Sequence, residues 1–281
     1  MKRTLALLLA LVMAAALFAG CGSSSNAAPA AGSADAAETT KFVMGIDPEY
    51  PPFSYLGDDG DYTGFDVEIC QAVCDYLGWE LEIFGVNWDE KLVQLDSFEC
   101  DCVWSGMTIL DSMKEAGYVI SEPYYDNTQV LVVKSDSGFA SSADLAGKVV
   151  AVQLGTSGEA LLNGDLSDLA ASFENVLTCD SFLKCFTELQ GGAVDAVFVD
   201  MPVAASYVTK HDDLAIIDEN LGAEQYGIAF RAGDAELCKA VDEAVQALVE
   251  NGTYAEIAAK PAYADIVNNL LFLNAETEAA A

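Results

Sequence analysis

The stretch that decides the fold is "GFDVEICQAVCDYLGWELEIFGV", residues 64–86. Phe65, Ile69, Val73 and Leu77 recur at four-residue spacing, the period of one helix face, with Asp66 and Glu68 in the first turn and Gly78 as a stop. "ELEIFGV" (80–86) then reads as a strand, as does "KFVMGI" (41–46) upstream. Strand, helix, strand in this order implies parallel pairing with a right-handed crossover. "WDEKLVQLDSF" (88–98) continues the rhythm as a helix and "DCVWSG" (101–106) as a strand.

The same rhythm restarts after Lys134. "SADLAG" (142–147) reads as a brief helix, "KVVAVQ" (148–153) as a strand and "SGEALLNGDLSDLAA" (157–171) as one helix. "SFLKCFTELQGG" (181–192) is a helix closed by glycine, "AVDAVFVD" (193–200) a strand and "MPVAASYVTKH" (201–211) a helix. An extended run, "YGIAF" (226–230), precedes "AELCKAVDEAVQALVENG" (235–252), where Leu237, Val241, Val245 and Leu248 share one face. Two β-α sets, with a last strand-helix unit far from the first, predict an α/β protein of two interleaved lobes. Residues 41–130 with 226–275 form lobe 1 and residues 131–225 form lobe 2. The chain is expected to cross between them near Asn127–Val133 and Gly222–Gly227, with a ligand cleft at the carboxyl ends of the strands.

Composition narrows the function classes. The chain of 281 residues carries a formal charge of −33, which argues against nucleic acid and anionic membrane surfaces as partners. Lys2 and Arg3 precede the apolar run Leu5 to Ala19, too short to span a bilayer but suited to the core of a signal peptide. Small residues immediately before Cys21 predict a lipoprotein leader over 1–20, with lipid on Cys21. The small, polar residues 21–40 then form a flexible tether. Seven further cysteines (70, 74, 100, 102, 179, 185 and 238) read as small buried hydrophobes. His211 has no ligand spacing around it, so no metal or other cofactor is expected. Asp58-Asp59-Gly60-Asp61 lacks the distal glutamate of a calcium loop and reads as a surface turn.

Tyr50 and Trp88 each lie just beyond a strand. They suit the walls of a small-ligand site and, alone, serve equally well as packing residues. In order along the chain, "GIDPEYPPFSY" (45–55), "GFDVEICQAV" (64–73), "SGMTI" (105–109), "EPYY" (122–125), "LGTSGE" (154–159), "DAVFVD" (195–200), "YGIAF" and "NGTYAEI" (251–257) resemble family 3 of the bacterial extracellular solute-binding proteins, the amino-acid-binding components of ABC importers. The resemblance runs from about Phe42 to Tyr263 and implies two α/β lobes joined by two hinge strands that close over one ligand. It implies that Tyr50 and Trp88 stack on the ligand and that Asp47 reads its side chain. Ser105, Gly106 and Thr108 would meet its carboxylate and amine. Gln153, Thr156 and Ser157 would contribute from the second lobe, and Asp200 would pair with its α-ammonium group.

The sequence departs from the family where an arginine usually grips the α-carboxylate. Counting forward from Thr108 puts Met113 at that position, and counting back from Pro123 puts Lys114 there. Lys114 is the expected substitute, at the start of a helix capped by Asp111. The expected function is a substrate-binding lipoprotein, a monomer and not an enzyme. It captures an amino acid, polar or basic, and delivers it to ABC permease subunits from the outer face of the cytoplasmic membrane. An exported dehydratase-like enzyme and a sensory domain are the alternatives on the same fold.

Overall fold

The computed structural model describes residues 39–274. The leader 1–20, Cys21 and nearly all of the tether 21–40 lie outside the described residues. The described chain opens with β1 (Lys41–Ile46), the short strands β2 (Glu49–Tyr50), β3 (Ser54–Leu56) and β4 (Tyr62–Thr63), and α1 (Phe65–Leu77). Next come β5 (Glu80–Gly85), a 3-10 turn over Trp88–Glu90, α2 (Lys91–Asp96) and β6 (Cys102–Thr108). They are followed by α3 (Asp111–Glu115), β7 (Val119–Ile120) and the long β8 (Tyr125–Lys134). The second set holds β9 (Val149–Gln153), α4 (Ser157–Asn163), α5 (Ser167–Ser172), β10 (Asn175–Cys179) and α6 (Phe182–Gly191). It ends with β11 (Ala196–Asp200), α7 (Met201–Val208) and β12 (Leu214–Ile217). The described chain closes with β13 (Ala223–Phe230), α8 (Ala235–Glu250), α9 (Thr253–Ala258) and 3-10 turns over Pro261–Tyr263 and Val267–Asn269.

The opening strand-helix-strand unit forms as its pattern dictates. β1 pairs in parallel with β5, Lys41 opposite Glu80 through Ile46 opposite Gly85, and also with β6. Phe65, Ile69 and Val73 of α1 are buried, each burial contributing about 1.5–3 kcal/mol. The helix ends where Gly78 turns left-handed at φ 70° and returns its N–H to Cys74. In the second set, residues 157–171 form two helices rather than one. The break falls at Gly164, whose φ of −124° and ψ of −105° lie outside the helical region. Asn163-Gly164-Asp165 is turn chemistry inside a helical period, and here the turn prevails.

The sheet order is β10-β9-β11-β8-β13-β6-β1-β5, with β12 added on β8 and β7 on β13. β8 and β13 thus stand at its centre, antiparallel to each other over Tyr125–Thr128 and Ala223–Tyr226. Beyond that overlap β8 continues against β11 and β12, and β13 continues against β6 and β7. Two strands therefore carry the chain between two α/β lobes. The seven described cysteines are all buried free thiols. Asp58–Asp61 lie in the hairpin turn between β3 and β4, with Gly57 N–H bonded to Asp61 O. No described helix is long and apolar enough to cross a membrane.

One buried acid shapes the floor of the cleft. Asp66 Oδ2 accepts from Gly106 N–H at 2.8 Å and from the Tyr124 hydroxyl at 2.7 Å. Gly106 holds φ +52°, and a Cβ there would come within 2.3 Å of the Tyr50 ring, so only glycine fits. Burial pushes the Asp66 carboxyl up to about 7. Between its unfolded value near 3.8 and about 7, the native state holds a proton that the unfolded chain has lost. Stability therefore falls as pH rises through this window, by about 1 kcal/mol per pH unit for this group. Melting temperatures measured from pH 4 to 8 should show that slope, and Asp66→Asn, which does not titrate, should flatten it. An unchanged slope in the variant would remove Asp66 from the account.

Candidate ligand-binding site

The expected site residues collect where the two lobes face each other. Tyr50 on β2, Trp88 after β5, and Gly106 and Thr108 on β6 line a cleft with Thr156, Ser157 and Asp200 from the other lobe. Its volume is about 350 Å3, the open mouth included. Asp47 and Gln153 border an adjoining hollow that shares Trp88 as a wall. Ser105 does something else. Fully buried, its hydroxyl accepts from Asp47 N–H at 3.0 Å and lies 2.6 Å from Ser54 Oγ, so it fixes the end of β1 beneath the cleft.

Away from β8 and β13, polar groups join the lobes directly. Gln153 Nε2 donates to Asp47 Oδ2 at 2.8 Å, whose Oδ1 accepts from Glu49 N–H. The Thr108 hydroxyl donates to Ser157 Oγ at 3.1 Å. Lys91 Nζ donates to Gly155 O at 2.6 Å. Thr156 begins α4 as its N-cap and accepts from Glu159 N–H, which orients the turn that carries Ser157.

An acidic centre lies beside the cleft, with Asp200 in its lining and Glu224 in that of the neighbouring hollow past Thr108 and Ser157. Asp200 Oδ1 accepts from Asn127 Nδ2 at 2.7 Å, Gln129 Nε2 at 2.8 Å and the Tyr226 hydroxyl at 2.8 Å. Glu224 Oε1 lies within reach of the same two amides, at 2.7 and 3.0 Å, and of the Thr108 and Ser157 hydroxyls at 3.0 and 3.2 Å. The Tyr50 and Tyr226 hydroxyls meet at 2.6 Å. Burial, and then the neighbouring Glu224, push the Asp200 carboxyl well above its usual range. Both amides turn nitrogen-first toward the acids, leaving Asn127 Oδ1 and Gln129 Oε1 buried without partners. Two adjacent acids in low dielectric hold a proton between them or take a cation, and a ligand ammonium fits that requirement.

Lys114 is not brought to this cleft. It stands exposed on α3, while Met113, buried at 3% exposure, lines the cavity and packs in one apolar cluster with Trp88 and Met107. Asp111 is also not the cap expected of it: Leu110 holds the cap position without a side-chain bond, and Asp111 is the first helical residue. The forward count from Thr108 is the one the backbone follows. A step of one residue turns a helical side chain by about 100°, enough to exchange a cleft position for a solvent one.

Sequence reasoning missed Asn127, Gln129, Glu224, Tyr226 and Lys91 around the cleft, and named Met113 only as the alternative to Lys114. Asn127 and Gln129 left a readable signal. They are two apart in "YDNTQVLVVK", so they share one face of the strand with Tyr125, Leu131 and Val133. Glu224 and Tyr226 have the same spacing on β13. His211 lies beside Tyr207 and Gln190 and does not line the cleft. No group of three or more acidic, cysteine or histidine side chains able to hold a metal occurs among the described residues.

Two lobes on a shared pair of strands, with polar and aromatic groups converging from both, define a two-lobed ligand-binding protein. Residues 42–261 match the model of the bacterial extracellular solute-binding proteins, family 3, and the chain belongs to that family. It is 36% identical over 232 residues to the L-cystine-binding protein TcyJ of Escherichia coli K12, covering 82% of this chain and 85% of the relative. It is 31% identical over 263 residues to the arginine-binding extracellular protein ArtP of Bacillus subtilis, covering 92% and 98%. Among solved structures, a substrate-binding protein of an ABC uptake transporter from Streptococcus pneumoniae with bound histidine superposes with a TM-score of 0.74 at 26% identity, covering 78% of this chain and 90% of that one. An ancestral arginine-binding protein bound to arginine gives 0.71 at 34%, covering 78% and 96%.

Gly155 sets how closely the lobes approach. It holds φ +73°, and a Cβ there would lie 2.7 Å from Asp89 Cα across the cleft. Gly155→Ala is expected to hold the lobes apart, giving a larger radius of gyration in small-angle scattering. The left-handed alanine itself should cost stability only about 1–2 kcal/mol. An unchanged scattering profile would mean that this contact does not limit closure.

Proposed function

We propose that this protein captures an amino acid between its lobes and delivers it to the permease of an ABC importer, acting by binding and release without turnover. The observation that carries the reading is the acidic centre. Asp200 and Glu224 converge on one point with the amides of Asn127 and Gln129, beside the Thr108 and Ser157 hydroxyls and under Tyr50. That set suits an α-ammonium group, with hydroxyls from both lobes for the rest of the amino-acid head. Relatives named for cystine, arginine and histidine binding support the same class. A ligand touching both lobes would favour the form in which they meet.

The family's extracellular setting, the charged start at Lys2 and Arg3, the apolar run and Cys21 support export and lipid anchoring. The protein would then work as a monomer on the outer face of the cytoplasmic membrane, leashed through residues 21–40. Residues 41–130 with 226–275 would move as one lobe against 131–225.

The test is a thermal-shift panel of the twenty amino acids and their decarboxylated amines. A true ligand at one hundred times its dissociation constant adds about 2.7 kcal/mol of stability. Asp200→Asn should weaken that ligand by about 2–3 kcal/mol, since it removes charge from the ammonium site. A panel without a single shift, or a shift unaffected by Asp200→Asn, would sink the proposal.

A further inference from the structure

The cleft has one charged group that amino-acid capture alone does not explain. Lys91, the first residue of α2, lies one turn past Trp88 with its Nζ 4.7 Å from the centre of that ring. It donates to Trp88 O at 3.1 Å and to Gly155 O at 2.6 Å. An ammonium has three N–H groups, so one remains. Lys91 lines the cleft and, among the described residues, is the only cationic side chain that does, since Met113 stands where the family places arginine.

Its acidic neighbours do not neutralise it. Asp89, Asp47 and Glu159 all act on it through space, yet among the described residues Lys91 belongs to none of the ion pairs shorter than 4.0 Å. Asp47 is engaged by Gln153 and the Glu49 N–H, and Glu159 Oε2 by the Gly155 N–H. A half-buried ammonium whose direct contacts are carbonyl oxygens and a ring face keeps one N–H that a ligand anion can take. Burial accordingly pulls Lys91 down to about 8. Its fixed charge on Trp88 also means that a guanidinium or ammonium stacking on that ring would meet repulsion rather than the usual attraction.

We propose that Lys91 sets the ligand class: it holds a carboxylate at the far end of the ligand, so the protein selects amino acids that end in a carboxylate over those that end in a cation. The inference rests on amino-acid capture and deepens it. The α-ammonium lies at Asp200 and Glu224, and the far carboxylate lies at Lys91, against Trp88. A far end carrying both carboxylate and ammonium groups would use Asp47 as well, because Asp47 stands on the same side of Trp88 as Gln153.

Calorimetric titration of the intact protein with L-glutamate, L-cystine, L-glutamine and L-arginine tests this. L-glutamate or L-cystine is expected to bind at least about tenfold more tightly than L-arginine, and which of the two binds reports whether the far end carries a carboxylate alone or a carboxylate with an ammonium. Lys91→Met keeps the aliphatic stem on Trp88 and should weaken that ligand about tenfold or more, change L-glutamine less than about threefold and strengthen L-arginine. Lys91→Gln keeps a donor for Gly155 O without the charge and should give the same pattern, which guards against a folding defect in one variant. At pH near 8, binding of the far carboxylate should also draw a proton onto Lys91, seen as a buffer-dependent heat that both variants lose.

Tighter binding of L-arginine by the unaltered protein would overturn the assignment. So would equal losses for L-glutamate and L-glutamine in Lys91→Met, which would make Lys91 the partner of the α-carboxylate. A loss in Lys91→Met that Lys91→Gln restores would make it a latch between lobes. No binding by any amino acid would overturn both this inference and the proposed function, whereas binding of cationic amino acids alone would overturn only this one.

Discussion

The antiparallel overlap of β8 with β13 is the constraint on which the rest depends. Only four residues of each strand pair, Tyr125–Thr128 with Ala223–Tyr226, yet this pairing joins two sheets that otherwise have separate neighbours. It also sets the chemistry of the cleft. Strand alternation puts Asn127 and Gln129 on one face of β8, and Glu224 and Tyr226 on one face of β13. The pairing register then brings all four beside the end of β11, where Asp200 stands. A one-residue slip would turn every one of these side chains to the opposite face.

Such a cleft is costly to the fold that carries it. Asp47 and Asp200 are nearly fully buried, and burial raises both carboxyl groups above their usual range. The side-chain oxygens of Asn127 and Gln129 have no donor among the described residues. Each arrangement would be improved for stability by an apolar replacement. The apolar clusters on either side supply the surplus that tolerates them: Phe42, Met44, Phe65, Ile69 and Val73 in one lobe, and Leu131, Val150, Val152 and Phe198 in the other. Met113 shows the opposite choice. Where a charged group could stand, the chain packs a thioether against Trp88, and among the described residues the cleft lining then holds one lysine, Lys91, with Asp200.

The fold was largely legible because its main elements carry strong periods. The four-residue spacing of α1, the short apolar run of β1 and the glycine stops at Gly78 and Gly192 are local signals, and local structure follows them. The single helix read over 157–171 failed because apolar spacing persists across the Asn163-Gly164-Asp165 turn. The short strands β2, β3 and β4 were too brief to show a period. In the site, residues next to strand ends could be named from the family pattern. Glu224, Lys91 and the two amides could not, since their role arises from partners 64 to 97 residues away in the chain. The placement of Lys114 failed by a single residue, because two anchors flanking α3 gave different counts and only the backbone decides between them.

The seven buried thiols have a consequence for the life of the protein in oxidising surroundings. Burial raises most of them above the ordinary thiol range, among them Cys100 to about 11 and Cys238 to about 12, so little thiolate is present to react. Their protection belongs to the native packing rather than to any bond between them. Each transient unfolding exposes an odd set of reactive sulfurs, and in oxidising surroundings one mispaired bridge ends the return to the native state. For this chain, persistence in such surroundings is therefore governed by how rarely it opens, a rate, more than by how far its folding equilibrium lies toward the native form.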